Sequence, residues 1–436
     1  MMRYTPYFFF AAYLLFGLYI TPNYGVSIDE AVQIRHAEVS LDYAAEWLGI
    51  DREPYHTDDK LEQHRGKEYS MLYGMFCTLI ADSVFGYDVE DFRHQLRVRH
   101  YVAFLLFWLA TIAFFRTLRM RFTGWQYPLL GVILLLLTPR IFANSFYNPK
   151  DTILLDFYIY ATASLFLFLH KRNWGTLLLH AVATGAVLNT RLPAMFLPFM
   201  TVILLLLDII QSRRKIGWTL AQIGVYLGAS LLVFVALFPY LWVDTFSRIA
   251  EVYKAMAKFN WGSYNLIFNE FILGTETPAW YIPAWMIITL PLGILILIFT
   301  GLYFAVRRQL QLLPKLKFWE SGAELFDLAQ LALGLGPLFA VIVLGSNLYN
   351  GWRHMYFIYP SLLYLGVVAW QQIRRQTKLR TRTVVSTLLI LNLLSVGHFM
   401  YRYHPNQQVY FNALAGSDRT KRYDMDYWGL SYFTAL

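Results

Sequence analysis

Two stretches of this sequence set carboxylates and cations beside long apolar runs. "SIDE" brings Asp29 and Glu30 directly after the first run, and "NSFYNPKDTILLDF", residues 144 to 157, puts Lys150 and Asp151 side by side where two runs meet. Arg191 in "LNTRLPA" and Arg353 with His354 in "SNLYNGWRHMYFIYP" interrupt apolar stretches in the same way. Carboxylates near hydrocarbon are costly and tend to be kept for function. They can take a proton from a hydroxyl as general bases, while arginine's planar fork suits a phosphate. The expected chemistry is group transfer, with acids activating a nucleophile and Lys150, Arg191, Arg353 and His354 holding an anion, at this depth the phosphate of a lipid. Each group also has a structural reading. Asp29 and Glu30 suit a helix N-terminus, Asp151 can cap the helix after an Asn148-Pro149 turn, and the arginines can snorkel to the headgroups.

The elements that must position these groups are membrane spans. The chain has 436 residues, 57% hydrophobic and only 15% charged, a mix that points to a polytopic membrane protein. Apolar runs able to cross roughly 30 Å of hydrocarbon recur near 4–21, 98–116, 125–143, 152–169, 174–190, 193–210, 217–239, 283–304, 325–345, 355–371 and 383–400, so the expectation is an all-α bundle of about eleven spans. The first run keeps Arg3 before it and lacks a small-residue cleavage site, which reads as an uncleaved span with a cytoplasmic N-terminus. The single Cys77 excludes an internal disulfide framework and a thiolate metal site.

A net charge of +9 invites a nucleic-acid reading, but its distribution opposes one. "RTLRMR", "KRN", "SRRK", "VRRQLQLLPKLK" and "IRRQTKLRTR" fall on alternate connections, which is the positive-inside rule at work. The same parity sends residues 22–97, the Lys150–Asp151 turn, residues 240–282 and the tail 401–436 to the non-cytoplasmic face. The apolar stretch 69–86 would invert every later loop if it crossed the membrane; with Asp82 in it, it reads as interfacial helix within the first outer loop. No internal repeat or low-complexity linker divides the chain, so residues 1–436 read as one integral domain.

"TPRIFANSFYNPKD" resembles the second-loop motif of bacterial relatives of the dolichyl-phosphate-mannose protein mannosyltransferases, in the GT-C superfamily of membrane glycosyltransferases, and "SIDE" is similar to their first-loop Asp-Glu motif. "YNGWRHMYFIYP" and "HPNQQVYFNALAG" with "DYWGLSY" resemble further segments of that branch, which includes the lipid A aminoarabinose transferases. The resemblance implies a GT-C-like fold, Asp29 as catalytic base, Asp151 supporting the site, and basic residues on the lipid phosphate. Glu68 in "RGKEYSMLYG" only approximately matches a later first-loop acid of the aminoarabinose branch and is given no role.

The implied reaction moves a sugar from a polyprenyl-phosphate donor to a hydroxyl of a protein, glycan or lipid acceptor, with inversion, on the outer face of a bacterial inner membrane. It needs a general base, for which Asp29 and then Glu30 are candidates with Asp151 as partner, and cations where charge gathers on the departing phosphate. No cofactor is required. A divalent metal held by Asp29 and Asp151 would find hard oxygen ligands, yet no ligand cluster demands one, and His36, His56, His64 and His404 read as scattered interfacial residues. The competing reading is a transporter or flippase of a lipid-linked or anionic substrate, which should show inverted repeats and interrupted helices in matched halves.

Overall fold

The computed structural model describes residues 4–86, 92–212, 215–257 and 261–430. Arg3, Arg213 and Arg214, parts of the two long loops (87–91 and 258–260) and the last six residues of the tail lie outside the described residues.

After α1 (Thr5–Ile20) the first long loop folds into α2 (Glu30–Leu48) and α3 (Leu72–Phe85), which pack on each other. Both stop at a glycine in the left-handed region, Gly49 at φ 67° and Gly86 at φ 67°, the usual way to end a helix without a Cβ clash. α4 (Phe92–Arg121) is 30 residues long, about 45 Å, and packs on α3 and α1. At one end His100 Nε2 meets Glu30 Oε1 at 2.8 Å. At the other, Arg121 grips Asp327 through Nε and Nη2 at 2.9 and 3.1 Å. These contacts mark opposite ends of the bundle.

The expected span at 125–143 is broken. α5 (Gln126–Leu136) and α6 (Pro139–Tyr147) meet at 73°, because Pro139 has no N–H to continue the ladder and holds Thr138 extended. Thr138 Oγ1 satisfies the break, bonding Leu134 O at 2.9 Å and the Tyr359 hydroxyl at 2.6 Å. Every residue of α6 is buried, so it runs into the bundle and delivers the chain to α7 (Asp151–Lys171).

α8 (Trp174–Leu188), α9 (Phe196–Ser212) and α10 (Ile216–Ala236) follow, and then the second long loop, with α11 (Thr245–Ala257) and a hairpin of β1 (Tyr264–Ile267) and β2 (Glu270–Leu273), antiparallel with Tyr264 opposite Leu273. α12 (Tyr281–Thr289), α13 (Leu292–Leu312), α14 (Gly322–Val343), α15 (Tyr359–Gln376) and α16 (Leu379–Arg402) complete the bundle, and the tail ends in the one-turn α17 (Arg419–Arg422). Among the described residues eight helices are long and apolar enough to cross a membrane, nine if the bent pair is one span. Of the eleven expected runs, α8 has only 15 residues, about 22 Å. α15 is buried without interruption from Tyr359 to Gln371 and packs on α13, α14 and α5, so its apolarity serves the interior rather than lipid.

α13 and α15 approach closely because Gly301 carries no side chain: a Cβ there would stand 2.2 Å from Leu365 O. Gly301→Ala is expected to cost about 1 to 3 kcal/mol through overpacking, read as a lower Tm in detergent. Gly217→Ala, with nothing within 4 Å of its Cβ, should be neutral or stabilising by up to about 1 kcal/mol. Equal Tm values for the two variants would contradict this packing.

Candidate active site

The site begins at the turn between α6 and α7. Asn148 Oδ1 accepts from the backbone N–H groups of Lys150 at 3.0 Å and Asp151 at 2.8 Å, and its Nδ2 donates to Asn144 Oδ1 and Asp151 Oδ2 at 2.8 and 3.2 Å. The first turn of α7 is thus held by Asn148, and Asp151 is not the cap that its position suggests. Its carboxylate, fully buried, pairs with two cations instead: Arg191 Nη1 on Oδ1, and Arg353 Nη1 on Oδ2 at 3.0 Å.

Those cations arrive on irregular backbone that other contacts hold in place. Arg191 is extended at φ −158°, just past α8, where Asn189 ties Gly185 O and Phe234 O from Nδ2 and accepts from Ser70 Oγ of the first loop at 2.7 Å. Arg353 opens a 3-10 turn ahead of α15. The loop before it is pinned by Asn265 of β1 to Leu348 O, by the Asn350 N–H to Asn265 Oδ1, by the Gly351 N–H to the Tyr281 hydroxyl, and by Trp352 Nε1 to Thr289 Oγ1. The Arg353 guanidinium lies 4.9 to 5.0 Å from the ring centres of Tyr349, Tyr427 and Trp428, a cation–π cage partly supplied by the tail.

Lys150 turns away from its neighbour: Nζ meets Asp29 Oδ2 at 3.1 Å and sits 5.7 Å over the Tyr69 ring. Burial pulls the ammonium below its ordinary value, and Arg191 and Arg353 add to that, while Asp29 opposes it. Asp29 is about a third exposed (34%). Glu30 beside it is buried with both oxygens engaged, one by the Ser27 N–H at 2.6 Å and the other by His100, so it holds the start of α2, and Asp29 is the more exposed of the two carboxylates. His354 lies against the Tyr349 ring; burial first and the Arg353 charge next push its pKa well below the usual histidine value, which removes it as a cation.

Glu30, Lys150 and Arg191 line one cavity together with Gln33, Tyr69, Ser70, Arg99 and Asn189. Its remaining wall is apolar, with Leu72 of α3 and Ile153 and Phe157, one turn apart on α7. Arg99, Tyr69 and Ser70 escape sequence reasoning. Arg99 stands in "RHQLRVRHYV" among arginines that resemble an ordinary loop edge, and Tyr69 and Ser70 carry no motif. The first-loop histidines, in turn, are not scattered. His36 Nδ1 meets His64 Nε2 at 2.5 Å, His64 Nδ1 meets Asp59 at 2.9 Å, and His56 Nε2 meets Glu38 Oε2 at 3.0 Å. The oxygens expected of a divalent metal site do not fit that role, since Asp29 faces Lys150 and Asp151 faces two arginines, and no group of three or more ligating side chains suits a metal among the described residues.

A comparison with curated proteins by sequence finds no significant match. Residues 92–242 match the family model described as dolichyl-phosphate-mannose-protein mannosyltransferase. Over 92% of its length the chain superposes on the oligosaccharyltransferase AglB from Archaeoglobus fulgidus, solved with an inhibitory peptide and a dolichol-phosphate, with a TM-score of 0.57 at 10% identity. The fold is that of the GT-C membrane glycosyltransferases. The chain spans 56% of the length of AglB. ArnT from Cupriavidus metallidurans shares the GT-C fold over 93% of this chain and 74% of its own, with a TM-score of 0.56 at 15% identity in the apo state and 0.54 at 16% when bound to undecaprenyl phosphate.

Asp151 and Asp29 should therefore respond differently to loss of charge. Asp151→Asn strands two arginines, one of them buried, and is expected to destabilise the protein by about 3 to 5 kcal/mol. Asp29→Asn removes a partly exposed pair worth roughly 1 kcal/mol or less. Thermal unfolding of both variants in one detergent checks this, and a smaller loss for Asp151→Asn would refute the assignment of Asp151 as the keystone.

Proposed function

We propose that this chain transfers a sugar from a polyprenyl-phosphate donor to a hydroxyl acceptor on the non-cytoplasmic side of the membrane. The observation that carries the reading is the cavity itself: its wall combines the cations Lys150 and Arg191 with the apolar Leu72, Ile153 and Phe157, and Asp29 stands behind it in contact with Lys150. Such a wall suits an amphipathic ligand with an anionic head and a hydrocarbon chain. The ligands named for the structures of AglB, dolichol-phosphate, and of ArnT, undecaprenyl phosphate, belong to that class.

In the reaction the acceptor oxygen attacks the anomeric carbon from the face opposite the phosphate. A C–O bond forms, the bond from the anomeric carbon to the phosphate oxygen breaks, and the configuration inverts. Asp29 takes the acceptor's proton, and the polyprenyl phosphate leaves with the electron pair, its charge met by Lys150 and Arg191. A phosphate is a weakly basic leaving group and needs no general acid. Arg353, already committed to Asp151, holds that carboxylate and through it the position of Arg191. Charge supports this choice of side: α4, α7 and α15 end in basic residues at their other ends, as the positive-inside rule asks of a cytoplasmic end.

Two experiments test the reading. Asp29→Asn should bind undecaprenyl phosphate or its sugar conjugates as the parent does, while turnover with a panel of polyprenyl-phosphate sugars falls by roughly 10²- to 10⁴-fold. Turnover at the parental rate would defeat the mechanism. For sidedness, cysteines replacing the exposed Asp58 and Phe271 should react with an impermeant thiol reagent on intact cells, and one replacing the exposed Leu316 only after permeabilisation. The buried Cys77 keeps the background low.

A further inference from the structure

Arg99 is a buried cation with no carboxylate in direct contact; the buried Glu38 feels its charge without pairing with it. Only 4% of the residue is exposed. Its Nη1 donates to Gly74 O at 3.1 Å and its Nη2 to Thr78 Oγ1 at 2.7 Å, both neutral acceptors on α3, while Nε has no partner. Among the described residues no carboxylate pairs with it. The buried Arg353 is compensated by Asp151, and the partly buried Arg191 and Arg172 by Asp151 and Asp208. Arg140 is also buried without a carboxylate, but its guanidinium lies over the faces of Phe411 and Trp285 at 4.7 and 5.5 Å. Among the described residues Arg99 has no such ring.

A guanidinium taken from water without a counter-charge is expensive, and two neutral acceptors return only part of that cost. The position of Arg99 makes the imbalance useful, for it lines the same cavity as Lys150 and Arg191. Lys150 already faces Asp29 and Arg191 already faces Asp151, so the arginine with no carboxylate of its own is the strongest attractor of an anion entering that cavity. Its chain is braced between α4 and α3 before any ligand arrives, so little side-chain freedom is lost on binding.

We propose that Arg99 is an anion-binding residue of this cavity, pairing with the phosphate of the bound lipid through its unpartnered Nε–H and completing a three-cation cradle with Lys150 and Arg191. The assignment rests on the proposed function for the identity of the ligand, but the argument for an anion at Arg99 comes from its burial, its neutral acceptors and its unpartnered Nε. A lipid phosphate and free inorganic phosphate share the required chemistry. The apolar stretch of the wall, with Leu72, Ile153 and Phe157, favours the lipid.

The test measures binding of undecaprenyl phosphate to the purified full chain in detergent, with inorganic phosphate as a competitor. Arg99→Gln, which keeps donors for Gly74 O or Thr78 Oγ1 but loses the charge, should weaken binding by about 10- to 100-fold, the share of a charge-assisted hydrogen bond. Arg99→Lys should recover much of that loss. Thr78→Val, which breaks the brace without touching the charge, should stay within about three-fold of the parent. If Arg99→Gln fails to fold, the Arg99→Lys and Thr78→Val pair still decides, because a structural role makes both equally damaging and a charge role does not. Parental affinity in Arg99→Gln, or equal losses in Arg99→Gln and Thr78→Val, would overturn the assignment. So would inorganic phosphate displacing the lipid at comparable concentration. Failure of the parent protein to bind any polyprenyl phosphate would instead refute the proposed function, and the two failures are thereby told apart.

Discussion

One buried carboxylate organises this molecule. Asp151 has no exposed side-chain surface, and an anion so placed is tolerated only when its charge is met and its lone pairs are filled. Arg191, Arg353 and the Asn148 amide do both. The consequence is geometric: the start of α7, the joint between α8 and α9, and the turn before α15 must meet at one point, although they stand 40 and 202 residues from Asp151 along the chain. Secondary anchors then protect that meeting. The β1–β2 hairpin holds the loop ahead of Arg353 through Asn265, and also takes the Asp424 carboxylate of the tail at the Leu266 N–H. From there the tail lays Tyr427 and Trp428 against Arg353. A small hairpin and an irregular tail thus owe their place to the stability of one ion triad.

The same carboxylate explains why two adjacent residues with opposite charges do not pair with each other. Lys150 is not yet helical, at φ −125° and ψ −63°, whereas Asp151 is the first residue of α7. The change in backbone conformation sends their side chains apart, Asp151 inward to the arginines and Lys150 toward Asp29 of the first loop. The adjacency is therefore a junction between two ion pairs of different character, one buried and fixed, the other partly exposed and exchangeable.

Most of this site was visible as residue types. Asp29, Lys150, Asp151, Arg191 and Arg353 stand out because charge is rare in apolar sequence, and the family resemblance puts them in order. What sequence could not supply was pairing. Arg353 reads as a phosphate ligand until its partner is known, and Glu30 reads as a second base until His100 and the Ser27 N–H are found on its oxygens. The helical class was legible for the same reason as the site, from the length of the apolar runs. The span count was not, because hydropathy reports that a segment avoids water without saying whether protein or lipid replaces it. α15 is apolar because it is buried in the bundle, and α5 and α6 form one apolar run that Pro139 divides. Arg99 was hidden by the opposite effect: several basic residues at the start of α4 look alike in sequence, and only burial separates the one that lines the cavity from its neighbours.

The partial exposure of the Asp29–Lys150 pair bears on how the proposed reaction would be timed. A carboxylate oxygen that already accepts from an ammonium has less capacity left for an incoming hydroxyl. Under the proposed function, a phosphate entering the cavity competes with Asp29 for Lys150 Nζ, and the competition is uneven. Lys150 is linked to Asp29 by a single contact at 3.1 Å, while the entering anion also gains Arg191 at the cavity wall. Donor binding thus loosens Lys150 from Asp29 and leaves the carboxylate free to accept a hydrogen bond from the acceptor hydroxyl. Asp151 takes no part in the exchange because two arginines hold it on either oxygen, so the cradle keeps its shape while its one movable pair opens.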